Sequence, residues 1–193
     1  RNVNVKHDTV TAIDFEKKIV NGANESYPYD YLVLAAGSKP TFFGVTGADK
    51  YTYKLWSYED AVVLRDHIQA SFRKAMYETN KEERKRLLTF WVVGAGFTGI
   101  EMVGELAEYV PILCEKYGID RSEVTLYNVD GLSRVIPNMT EKLSAKVEKR
   151  LQKMGVKVVL NSFVAEVGED FICLKQNGNI VKYTAGTVIW AAG

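Results

Sequence analysis

The sequence predicts an α/β chain built on a doubly wound parallel sheet with a small antiparallel flap, and three observations predict it. Strand-like apolar runs alternate with stretches of helical periodicity, the order that builds a sheet covered by helices. One apolar run, Leu88 to Val93, ends directly in the glycine-rich stretch Gly94 to Glu101, GAGFTGIE. Near the end, Asn177-Gly178 separates two short polar-apolar runs, the pattern of a tight hairpin.

Taken in order, Asn2 to Lys6, Thr9 to Asp14 and Lys17 to Val20 read as short antiparallel strands. The run Tyr29 to Gly37, YDYLVLAAG, ends like the chain's last residues, Ala185 to Gly193, AGTVIWAAG. The simplest reading makes these two buried neighbouring strands, one leaving a flanking domain and one returning to it. On that reading residues 1–45 hold strands of the flanking domain, 46–186 form an inserted nucleotide-binding domain, and 187–193 form the return strand. Ser57 caps a helix with Glu59 and Asp60 in its first turn and Ala61, Leu64, Ile68, Phe72 and Met76 on one face. Leu143, Val147, Leu151 and Met154 stripe a second helix that Gly155 closes. Val156 to Leu160 is the next strand, and the hairpin joins Phe171 to Lys175 with Asn179 to Tyr183.

The glycine loop carries the chemistry. Gly94 allows a tight turn out of the strand, Gly96 allows backbone to approach a pyrophosphate, and Gly99 allows close packing of the following helix. Ile100, Val103, Leu106, Ala107 and Val110 give that helix an apolar face. Its N-terminal amides and positive dipole end suit an anion. The arrangement is Rossmann-like, so Gly94, Ala95, Gly96, Phe97, Thr98 and Gly99 are the candidate dinucleotide-binding residues. The acid expected at the end of the second strand, to accept the ribose hydroxyls of NAD, is replaced by Asn128 after Val124-Thr125-Leu126-Tyr127, with Asp130 two residues on. Gly94 to Asn128 spans 34 positions, more than the usual spacing of about 20; the excess lies around Pro111 to Glu123, read as a kinked helix extension and a loop. Neither Asn128 nor Asp130 favours a 2′-phosphate, so NADH is expected over NADPH, which Arg134 keeps open.

Composition excludes other classes. A net charge of +1 gives no field for nucleic acid, and Lys81 to Arg86 mixes signs like a solvated helix end. No run reaches bilayer-spanning length, and no signal peptide is visible, so a cytoplasmic protein is expected. Cys114 and Cys173 form no CxxC pair, and His7 and His67 have no partners at metal spacing, so neither a metal nor a redox dithiol is indicated. The sequons at Asn24 and Asn138 carry little weight without a secretion signal.

Three stretches, Leu55 to Ala61 (LWSYEDA), Gly94 to Leu106 (GAGFTGIEMVGEL) and Val110 to Asp120 (VPILCEKYGID), resemble the pyridine nucleotide-disulphide oxidoreductase superfamily, and within it the type II NADH dehydrogenases. The resemblance covers nearly the whole chain, and the extended helix after the glycine loop is typical of that group. It implies hydride transfer from NADH to FAD and onward to a quinone. It implies that Glu101 faces the nicotinamide, that Ala36 and Gly37 touch FAD, and that Ala192 and Gly193 lie near the junction of the two cofactors. Residues 1–45 then belong to the FAD-binding domain, although no FAD-type GxGxxG precedes Tyr29. The chain reads as an internal piece of a longer protein that sits peripherally on the cytoplasmic face of the membrane. By itself it is expected to bind dinucleotide without turnover and without FAD; its oligomeric state is left open. A non-catalytic dinucleotide-binding module and an NAD(P)H reductase for ferredoxin or rubredoxin are the alternatives.

Overall fold

Alternating residues near the start of the chain form a small antiparallel sheet in the computed structural model, which describes residues 2–193. Strands β1 (Val10–Asp14), β2 (Ile19–Gly22) and β3 (Ser26–Pro28) pair in the order β1-β2-β3. They belong to a first unit that ends at Ser38; Lys39–Gly193 form a second. The Asp8 carboxylate anchors the end of the hairpin, accepting the amide hydrogens of Ala23 and Asn24 and the hydroxyl hydrogen of Tyr27.

Two expectations for this unit are corrected. Asn2 to Lys6 is not a strand, and neither is Tyr29 to Gly37, where Val33 and Leu34 are 86% and 65% exposed. A strand buried on both faces needs a neighbour along its edges and layers above and below. Only its first residue is tied, the Tyr29 amide donating to the Lys18 carbonyl at 2.9 Å; among the described residues of this unit no strand pairs with the rest of the run, so its apolar pattern is left unpartnered.

The second unit opens with α1 (Ala48–Tyr51), β4 (Tyr53–Lys54), α2 (Tyr58–Tyr77) and α3 (Lys81–Leu87). Ser57 caps α2 as the sequence predicts, its hydroxyl accepting from the Asp60 amide at 3.1 Å while the Asp60 carboxylate accepts from the Ser57 amide at 3.1 Å. Leu64, Ile68 and Phe72 are buried, but Ala75 rather than Met76 completes the inward stripe. Next come β5 (Thr89–Val93) and α4 (Phe97–Tyr117), which continues through Pro111 and closes at Gly118 in the left-handed region. Then follow β6 (Thr125–Val129), α5 (Glu141–Lys153), β7 (Val156–Val159), β8 (Ser162–Val167), β9 (Phe171–Gln176), β10 (Asn179–Thr184) and β11 (Thr187–Trp190).

Five strands make a parallel sheet in the order β4-β11-β5-β6-β7, and β8 to β10 make the antiparallel flap. Asn177 and Gly178, both at positive φ, form the hairpin turn. Thr187–Trp190, expected to return to the flanking domain, instead lies inside this sheet between β4 and β5. All four residues are buried, and a strand buried on both faces is satisfied only with a neighbour on each edge.

Every residue of β5 is buried, and alternation sends its side chains to two layers. Phe90 and Val92 join α2 and α4 in one core; Trp91 and Val93 join the flap in another. Trp91 stacks on Tyr127 with centroids 3.9 Å apart and planes 6° apart, and its indole N–H donates to the Thr184 carbonyl at 3.1 Å. Strand order reverses between β5 and β11, so the carboxyl ends of those strands frame the crevice where open α/β sheets take ligands.

Candidate nucleotide-binding site

Each glycine of the loop has a different neighbourhood. Gly94 continues the sheet, its amide donating to the Val129 carbonyl at 2.8 Å, then turns at φ +105°; a Cβ there would stand 2.7 Å from the Ala191 carbonyl oxygen. At Gly99, a Cβ would overlap the carbonyl oxygen of Gly94, so helix and loop meet there backbone to backbone. Gly96 differs from both: it is exposed, and a Cβ would meet nothing within 4 Å. Protein packing demands glycine at 94 and 99, whereas at 96 it leaves open space in front of a helix.

That helix is α4, whose N-cap is Gly96. The first amides of a helix have no intrahelical acceptor. Among the described residues no side chain caps them, and no acid lies in the first turn. Phe97 and Thr98 are exposed beside Gly96, so this positive end faces solvent. Glu101 is exposed in the second turn.

Two amides expected in the cradle are already engaged. That of Gly94 is taken by Val129, and that of Ala95 donates to Asp130 Oδ2 at 2.7 Å. Ala95 is buried, and its carbonyl accepts from Ile136, so it serves the loop's shape rather than a ligand. The free amides lie further on, from Gly96.

Asn128, expected at the strand's mouth, is fully buried within β6. Its amide nitrogen donates to the Gly94 carbonyl at 2.8 Å and to that of Val92 at 3.2 Å. Among the described residues its Oδ1 has no partner. The strand runs one residue further than its sequence suggested, so Asp130 stands just past its end, where the ribose acid belongs. Its Oδ1 accepts the Leu132 amide at 2.8 Å. Arg134 is held back from that position, its guanidinium donating to the Pro137 carbonyl at 2.7 Å and lying 3.5 Å from Glu141.

Gly94, Asp130 and Ala192 converge on one cleft of about 370 Å³ at the carboxyl ends of β5, β6 and β11, together with Phe43, Phe163 and Trp190. Gly193 follows at φ +105°, where a Cβ would lie 2.9 Å from the Thr41 carbonyl oxygen. The three aromatic residues were not singled out from sequence, because short apolar runs do not reveal which ring faces a cleft. Ala36 and Gly37 belong to the first unit and are exposed. Among the described residues, no cluster of three or more His, Cys, Asp or Glu is placed to hold a metal, and no helix is long and apolar enough to cross a membrane.

Known proteins share this architecture. The chain is 36% identical over 184 residues to a type II NADH:quinone oxidoreductase of Staphylococcus haemolyticus, covering 95% of this chain and 45% of that protein. It is 32% identical over 191 residues to the enzyme of that name from Staphylococcus aureus strain NCTC 8325, covering 99% and 47%. The solved structure of NDH2 from Plasmodium falciparum in complex with NADH superposes with a TM-score of 0.83 at 25% identity, over 96% of this chain and 40% of that one. The chain thus spans about half the length of the curated relatives it matches. All of its residues, 1–193, match the pyridine nucleotide-disulphide oxidoreductase family, and the chain belongs to that family.

Proposed function

We propose that this chain is the NADH-binding part of a flavin-dependent NADH:quinone oxidoreductase. One observation carries the reading: Gly96 opens onto the uncapped N-terminus of α4 at the switch point of the sheet, with an acid, Asp130, at the end of the neighbouring strand. The NADH:quinone oxidoreductase activity of the Staphylococcus relatives, and the NADH in the Plasmodium complex, point to the same ligand.

In this reading the amides from Gly96 onward hold the pyrophosphate, and Asp130 accepts ribose hydroxyls. Its negative charge and the restrained Arg134 favour NADH over NADPH. Glu101, exposed one turn into α4, faces the nicotinamide, while Ala192 and Gly193 sit towards the flavin. FAD, which would accept the hydride and pass electrons to the quinone, is held chiefly by the further length seen in the relatives, with Ala36 and Gly37 among its contacts. The parent protein would work peripherally on the cytoplasmic face of the membrane. Without flavin at contact distance the chain alone binds NADH and does not oxidise it.

Titration of NADH and NADPH into the chain and into Gly96→Val, followed by tryptophan fluorescence, tests the reading. The chain should bind NADH more tightly than NADPH, and the variant should bind neither. Undiminished NADH affinity in Gly96→Val would overturn it.

A further inference from the structure

We propose that Phe163 is the stacking platform for the adenine of the dinucleotide and hence a specificity-determining residue; this deepens, and rests on, the function proposed above. Phe163 is 61% exposed, although its neighbour Ser162 and the far end of the same strand, Val167, are buried. Pleating therefore turns the ring outward, and it forms part of the wall of the 370 Å³ cleft beside Leu132, Val164 and Asp130.

One side of the ring is packed. A Cβ on Gly131 would collide with its edge atoms, so the phenyl group rests against bare backbone. The strand under it is tied to the acid's loop by two backbone bonds, Ser162 N–H to the Asp130 carbonyl at 3.0 Å and Asn161 N–H to the Leu132 carbonyl at 2.9 Å. A ligand anchored at Gly96 with a ribose at Asp130 thus meets this aromatic surface next, on the β6 side. The opposite direction leads to Trp190 and Ala192 at the end of β11, the side on which the function proposed above puts the nicotinamide. An aromatic ring offers a purine a flat, polarised face, and base stacking of this kind changes affinity by about tenfold on truncation to alanine.

The test compares NADH with reduced nicotinamide mononucleotide, which lacks the adenosine, in the full chain and in Phe163→Ala, Phe163→Tyr and Gly96→Val. Phe163→Ala should weaken NADH by about tenfold and leave the mononucleotide unchanged, while Phe163→Tyr should retain both. In proton NMR, the adenine resonances of bound NADH should be shifted upfield by the ring current in the chain and in Phe163→Tyr, and not in Phe163→Ala. Equal weakening of both ligands, or unchanged NADH binding in Phe163→Ala while Gly96→Val fails to bind NADH, would overturn the platform and spare the site. Full NADH binding by Gly96→Val would overturn the site and the platform together.

Discussion

The Asp130 carboxylate accepts the amide hydrogen of Ala95 at 2.7 Å, tying the end of β6 to the bend that leaves β5. Its other oxygen takes the Leu132 amide, so one side chain sets the shape of the glycine loop and of the loop beside it.

Removing that carboxylate should therefore act on stability and on selectivity. Asp130→Ala strands the buried Ala95 amide and leaves the exposed Leu132 amide to water, and losing one such buried partner lowers unfolding free energy by about 1–3 kcal/mol. It also removes a negative charge from the place where a 2′-phosphate would come, so NADH affinity should fall while the ratio of NADPH to NADH affinity rises. Asp130→Asn, with one acceptor oxygen instead of two, should recover part of the stability. Urea unfolding and titration with both dinucleotides measure this; an unchanged ratio in Asp130→Ala would remove Asp130 from selectivity.

The loop's glycines should separate packing from binding. A methyl group at Gly99 meets the Gly94 carbonyl with backbone on both sides, so Gly99→Ala should destabilise by about 1–3 kcal/mol, the usual cost of overpacking. Gly96→Ala meets nothing and should unfold within about 0.5 kcal/mol of the parent chain, as ordinary exposed substitutions do, while losing NADH affinity. Thermal melts beside NADH titrations decide it, and equal melting of the two variants would contradict the assignment.

The pattern of these glycines was legible because their spacing between a buried strand and an amphipathic helix has a narrow set of physical solutions. The Ser57 cap and the Asn177-Gly178 turn were legible for the same reason, since each satisfies its own backbone locally. What was not legible depended on distant partners. The YDYLVLAAG run carries the same apolar signal as AGTVIWAAG, yet among the described residues only the second is paired into a sheet, between β4 and β5. Asn128 looked like a strand end because a polar residue followed four strand formers; its buried bonds to Val92 and Gly94 explain how a polar side chain stays inside the strand.

Asn128 makes a pH prediction of its own. Asn128→Asp would turn an amide that donates to two carbonyls into an acceptor facing acceptors. Only the protonated acid can donate there, so the fold should hold the proton and raise its pKa above the unfolded value of about 3.9. A raised pKa makes stability fall as pH rises past that value. The variant should be close to the parent chain near pH 4 and progressively less stable towards pH 7, by urea midpoint at each pH. A pH-independent difference would show that the side chain had turned away.

His67 predicts the opposite slope. Its ring stacks on Tyr53 with centroids 4.2 Å apart, and Nε2 lies 2.9 Å from Thr187 Oγ1. Burial lowers its pKa below the ordinary 6.5, a hydrogen bond with the Gly186 backbone opposes this, and the charges of Lys74 and Arg86 add to the lowering. The folded chain therefore keeps a neutral imidazole at pH values where the unfolded chain takes up a proton. Its contribution is complete above about pH 6.5 and is lost as pH falls towards the folded value, with a slope no steeper than about 1.4 kcal/mol per pH unit. His67→Gln retains a polar group facing Thr187 but cannot titrate, so its unfolding free energy should fall less between pH 7 and pH 5 than that of the parent chain. Identical slopes in urea unfolding across that range would mean that other groups carry the acid sensitivity.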